Sequence, residues 1–154
     1  MNLLKKITIN ICLFIALISL GDFVFSNSSI KDIITEKKTS YESYNNAGGN
    51  SHVSKSIHSQ KFKFNCSDAF FELSSVNDSL NLKVSPIFNK INRYTNIQKQ
   101  YSETYSLRYV TGLIIPVLGL LILMLSFKFR EKMTIIVFVA QIAILSNFIY
   151  LLFS

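Results

Sequence analysis

The sequence predicts a membrane protein of mixed class: one N-terminal helix, a three- to five-stranded extracytoplasmic β-domain and a C-terminal two-helix transmembrane hairpin. Two observations predict it. Hydrophobic residues make up 49% of the 154 positions and concentrate in Ile7 to Phe25, Tyr109 to Phe127 and Met133 to Phe153. Between the first two runs, residues 26–108 are rich in Ser, Asn and Lys and in places alternate with the period of a strand.

The last two runs are each about twenty residues long, or roughly 30 Å as helix, which is the thickness of a bilayer's hydrocarbon core. Neither carries a charge between its ends, and a chain this short has no core large enough to hide two such helices. The first run is less simple. It follows the basic start MNLLKK, the form of a signal peptide as well as of an anchor, and Ser19 and Gly21, or Val24 and Ser26, are small enough for a cleavage site. Extended to Phe25, with Asp22 at the outer interface where water reaches its carboxylate, the run is long enough to span. Residues 1–25 are therefore assigned as a transmembrane anchor in preference to a cleaved signal.

Residues 26–50, SNSSIKDIITEKKTSYESYNNAGGN, are polar with little periodicity, end in Gly48 and Gly49, and read as a linker or frayed helix. Residues 51–91 form the predicted β-domain. It comprises strands at His52–Ile57 and Lys61–Asn65, a helical turn through DAFFEL capped by Ser67 or Asp68, and a strand with Leu80, Leu82 and Val84 alternating up to Pro86. A last strand lies near Ile87–Ile91. Over residues 92–108, Tyr94, Ile97, Tyr101, Tyr105 and Arg108 recur at three- and four-residue steps. That spacing predicts an amphipathic juxtamembrane helix leading into the hairpin of residues 109–154. Tyr105, Tyr109 and Tyr150 then fall at one membrane interface, where tyrosine is favoured.

Charge sets the expected orientation. Lys5 and Lys6 flank the first run, and Lys128, Arg130 and Lys132, with Glu131, fill the turn between the last two; short loops rich in Lys and Arg stay cytoplasmic. Lys31, Lys37, Lys38, Arg93 and Arg108 argue the other way, but segments beyond about 60 residues translocate largely regardless of charge. Residues 26–108 are expected outside the cytoplasm of a bacterial inner membrane.

Within the hairpin, antiparallel folding sets Ala143 opposite Leu118 and Gly119, and Asn147 near Ile114. Ala140, Ala143 and Asn147 share one helical face, and small residues let helices approach closely. Pro116 has no backbone donor and in an α-helix strands the carbonyl of Gly112, to which Asn147 is placed to donate. Gln141 is the other polar candidate. The set Gly112, Pro116, Gly119, Gln141, Ala143 and Asn147 is read as a packing device and not as a substrate path.

Catalytic motifs do not appear: there is no CxxC, HExxH, glycine-rich phosphate loop or GxSxG, and His52 and His58 stand too far apart on an extended stretch to share a metal. Cys12 in an apolar run and Cys66 in the polar segment are not placed to pair. The net charge of +7 is spread without a dense aromatic-interleaved stripe, which points to the bilayer's anionic head groups as a partner and away from nucleic acid. No cofactor is implied.

The stretch NDSLNLKVSP (Asn77 to Pro86), set between an N-terminal span and a helix pair, resembles the layout of a widespread bacterial family of small membrane proteins of unknown function. That family's domain runs turn, Asp, alternating strand and Pro; the Gly that usually precedes the Asp is Asn77 here. The resemblance implies a retained first helix and this architecture, and no activity. Two functional classes remain. One is a membrane-anchored interaction or accessory protein whose β-domain meets an envelope partner or a copy of itself. The other is a small transporter, channel component or immunity-type membrane protein acting through its helices; an enzyme is not expected.

Overall fold

A computed structural model describes residues 3–26, 28–43, 51–128 and 134–153. The features expected at Gly48, Gly49, Arg130, Glu131 and Lys132 lie outside the described residues. The chain divides into a helical unit (Met1–Asn27, Ser85–Asn92, Ser106–Ser154) and a β unit (Ser28–Val84, Arg93–Tyr105).

The helical unit contains α1 (Leu3–Val24), then α3 (Ser106–Tyr109), a π-helical stretch (Val110–Ile114) and α4 (Ile115–Lys128) running on as one rod, and finally α5 (Thr134–Phe153). Leu4–Val24, Ser106–Lys128 and Thr134–Phe153, at 21, 23 and 20 residues, are each long and apolar enough to cross a membrane. Burial follows a narrow seam. Ile9, Cys12, Ala16 and Ser19 on α1, and Val137, Ala140, Ile144, Asn147 and Leu151 on α5, recur at steps of three and four. Ile9, Cys12, Ala16, Leu123, Val137 and Ile144 form the common core of the three helices. Outside the seam, Phe14, Met124, Ile135 and Phe153 stay exposed, a surface that suits lipid and not water. The Lys5 Nζ donates to Thr134 Oγ1 at 3.4 Å, so the starts of α1 and α5 share one end of the bundle. That end is basic, carrying Lys5, Lys6 and Lys128.

The β unit is built on a six-stranded antiparallel sheet of order β3-β2-β1-β4-β5-β6. Its strands are β1 (Ser28–Ser43), β2 (Ser51–Ser59), β3 (Lys63–Asn65), β4 (Ser79–Val84), β5 (Ile91–Asn96) and β6 (Tyr101–Thr104). A short helix α2 (Asp68–Leu73) follows β3, capped by the Ser67 Oγ, which accepts from the Phe70 N–H at 3.0 Å. Ile34, Ile57, Phe64, Phe70, Leu80, Leu82 and Tyr94 are buried. Phe70 meets Tyr94 edge-on at 4.5 Å between centroids.

Three expectations are corrected. The sheet has six strands, not three to five. Residues 28–43 of the expected linker are strand: β1 pairs with β4 from Ser28↔Val84 to Ile33↔Ser79, and with β2 from Ile34↔Ser59, through a bulge between Ile34 and Glu36, to Ser43↔Ser51. One of its inward positions is the carboxylate Asp32, which accepts from the Ile33 and Lys61 N–H groups at 2.8 and 3.1 Å and so closes the turn between β2 and β3. Nor is 92–108 a helix. It forms β5, a turn with Gln100 at φ 53°, and β6 paired from Arg93↔Thr104 to Asn96↔Tyr101; helix begins only at Ser106. In β5 Ile91 is buried, but the alternating inward positions are Asn92, Tyr94 and Asn96, so the strand's period is carried largely by polar groups.

In the stretch that carries the family resemblance, Asn77 occupies the left-handed region at φ 74° and takes the conformation a glycine there would supply. Its N–H donates to the Ile34 carbonyl at 2.9 Å. Next to it, the Asp78 Oδ2 accepts from the Asn96 Nδ2 at 2.7 Å and from the Ser75 N–H at 2.9 Å.

Candidate functional site

The six candidate residues of the hairpin fall into different surroundings. Asn147 is buried and its Nδ2 donates to a stranded carbonyl, but to that of Thr111 at 2.8 Å and not of Gly112. Helical register explains the difference. Within Val110–Ile114 the bonds run i to i+5, as the Ile115 N–H to Val110 carbonyl bond shows. In that register the amide proton missing from Pro116 belongs opposite Thr111. Gly112 faces α1, where an added Cβ would stand 2.6 Å from Phe23 Cδ2; Gly119 faces α5, where it would stand 2.6 Å from Ile144 Cδ1. Ala143 is exposed, and it is Ile144 that meets Gly119. Gln141 is half-buried and lies along a groove between α1 and α5.

The strongest polar cluster of the helical unit was not anticipated. Asp22, expected to meet water, is 1% exposed, and its Oδ2 accepts from Arg108 Nη2, itself 2% exposed. The other carboxylate oxygen accepts from the Ile87 N–H at 2.7 Å and the Phe88 N–H at 3.4 Å. Arg108 Nε donates to Asn92 Oδ1 at 2.7 Å, and Asn92 Nδ2 donates to the Phe23 carbonyl at 3.2 Å. The Phe23 and Phe88 rings lie 5.9 and 5.8 Å from the guanidinium. The cluster clasps the end of α1, residues 85–92 and the start of α3. A buried ion pair holds only when its remaining donors and acceptors are met, and here nearly all are. Two atoms of the helical unit are buried without a partner among the described residues, Arg108 Nη1 and Asn147 Oδ1. The signal available in sequence was one acid and one base at the same end of successive spans.

In the β unit, Glu103 gathers three hydroxyls: Ser67 at 2.7 Å and Tyr101 at 2.9 Å on Oε1, and Tyr94 at 2.9 Å on Oε2. Burial, then the Glu103 charge, pushes the neighbouring Cys66 thiol up to about 12, so it stays protonated and a poor nucleophile at neutral pH. These contacts tie β5, β6 and the α2 cap together. Among the described residues no three His, Cys, Asp or Glu side chains could hold a metal.

The outer part of the β1–β2 hairpin projects past the ladders to β4 and β3, which end at Ile33↔Ser79 and Ser56↔Asn65. On this ribbon Tyr41 is 77% exposed and lies directly opposite Val53, 44% exposed. No protein-family model matches the chain, and no characterised protein or solved structure is detectably similar to it.

Proposed function

We propose that the chain is a membrane-anchored interaction protein: the helical unit spans a bacterial inner membrane with its basic end in the cytoplasm, and the β unit meets an envelope partner on the other side. The observation that carries this reading is the projecting ribbon, where an apolar cross-strand pair is displayed with no ladder neighbour beyond its own two strands among the described residues. The helices point the same way. Their polar side chains Asp22, Arg108 and Asn147 are engaged with one another, with Asn92 of β5 or with backbone, as in a rigid anchor. The shared basic end of α1 and α5 supports the orientation, because short basic flanks stay cytoplasmic.

A photo-crosslinking amino acid at position 41 should give a discrete adduct in cells, lost with Val53→Asp, while the same probe at exposed Lys83 on β4 gives none. Absence of any position-dependent adduct from the inserted, folded protein contradicts the reading. The alternative, a small transporter, channel component or immunity-type membrane protein acting through its helices, draws on Arg108 Nη1 and Asn147 Oδ1, unpartnered among the described residues. Solute flux in vesicles that Asn147→Ala abolishes would favour it.

A further inference from the structure

We infer that the groove between α1 and α5 at the basic end of the helical unit is a binding site for one anionic glycerophospholipid. The groove is open, about 350 Å³, and walled by Ile7, Val137 and Phe138. Lys5 and Thr134 stand at its mouth and Gln141 lies deeper.

Three features fall in the order that a phospholipid presents. Half-buried Lys5 brings an ammonium to the mouth; one of its three donors makes the long 3.4 Å contact to Thr134, and no carboxylate pairs with it among the described residues. The hydroxyl proton of neighbouring Thr8 is committed to the Leu4 carbonyl at 2.8 Å, leaving Lys5 as the donor for an anion. Gln141 follows two turns along α5 from Thr134, roughly 10 Å deeper. Its amide makes no hydrogen bond among the described residues, although a donor at that depth in hydrocarbon is costly unless met. Past Gln141, exposed Ile11 on α1 and Leu145 on α5 continue the same helical faces with hydrocarbon.

Phosphate at Lys5, the glycerol backbone passing Val137 and Phe138, an ester carbonyl accepting from Gln141 and an acyl chain running on along Ile11 and Leu145 satisfy all three at once. Exposed Lys6 and Lys128 at the same end add positive field, so an anionic head group is favoured over a zwitterionic one. A free phosphate shares the charge but not the chain.

The test uses the purified full chain in mild detergent, with retention of lipid read by native mass spectrometry. Phosphatidylglycerol should be retained several-fold better than phosphatidylcholine of the same chains. Lys5→Gln should bring that ratio near one, Lys5→Arg should restore it, and Gln141→Leu should weaken retention of both lipids several-fold while leaving the ratio. Each variant is checked for unchanged thermal unfolding. Three results overturn the inference: a preference that survives Lys5→Gln, one that Lys6→Gln abolishes equally, or displacement of the lipid by millimolar glycerol phosphate.

Discussion

Pro116 has no amide proton, and the role of Asn147 follows from which carbonyl that omission strands. That Asn147 donates to a carbonyl one turn before Pro116 was legible in sequence; which carbonyl was not, because the wide turn at Val110–Ile114 shifts the register by one residue. Asn147→Leu should therefore cost about 0.6 kcal/mol, and at most about 1.7, the range of hydrogen bonds between membrane helices. In a Pro116→Ala background, where the helix can serve its own carbonyl, the loss should shrink. A double-mutant cycle on thermal unfolding in detergent measures this, and simple additivity would break the link between them. The ion pair makes a larger demand. Asp22→Leu or Arg108→Leu alone leaves an uncompensated buried charge and should cost about 3–5 kcal/mol, whereas the double leucine variant should recover a good part of it. Melting temperatures that fall by the sum of the two single losses would show that the pair is not coupled.

Elements differ in how much sequence reveals of them. The spans are legible because length and the absence of charge decide them without any period. Strand β4 is legible because Leu80, Leu82 and Val84 alternate inward. Strands β1 and β5 are not, because inward Asp32, Asn92 and Asn96 are stabilised by partners that exist only once the chain has folded. Helix packing gives a test at the same scale. An alanine at 112 would press on the Cβ and ring of Phe23, near the stem of a bulky side chain, and should cost towards the upper end of the roughly 1–3 kcal/mol typical of overpacking. At 119 it would press on the flexible end of Ile144, so the cost should be smaller and relieved by Ile144→Val. Equal thermal shifts for Gly119→Ala with and without Ile144→Val would remove that contact from the account. The 74–78 turn makes a prediction in pH. The Asn96 amide first, then the Ser75 N–H, holds the Asp78 carboxyl below its usual range. Its folded pKa thus lies under the unfolded value of about 3.9, so its stabilisation is complete above that value and is lost as pH falls through the folded one. Unfolding of the β unit should become easier below about pH 4, and less steeply so in Asp78→Asn. An identical pH profile in that variant counts against the contact.

For the whole molecule, the central claim is a division of labour. Three apolar helices carry an internal seam, a polar clasp at one end and basic residues at the other, while the β unit displays an exposed apolar pair on its ribbon, which we propose meets a partner. The ribbon and the clasp were less legible than the spans because each needs a pairing that only the folded chain makes: Tyr41 opposite Val53 across two strands, and Asp22 with Arg108 from distant segments. The claim requires the basic end and the ribbon to lie on opposite sides of the membrane. Thiol labelling tests this with little background, since Cys12 is buried in a span and the raised pKa of Cys66 keeps its thiol unreactive. With a membrane-impermeant maleimide on intact spheroplasts, Tyr41→Cys should label at once and Thr134→Cys only after lysis; labelling of Thr134→Cys in intact spheroplasts, with Tyr41→Cys protected until lysis, would contradict the account.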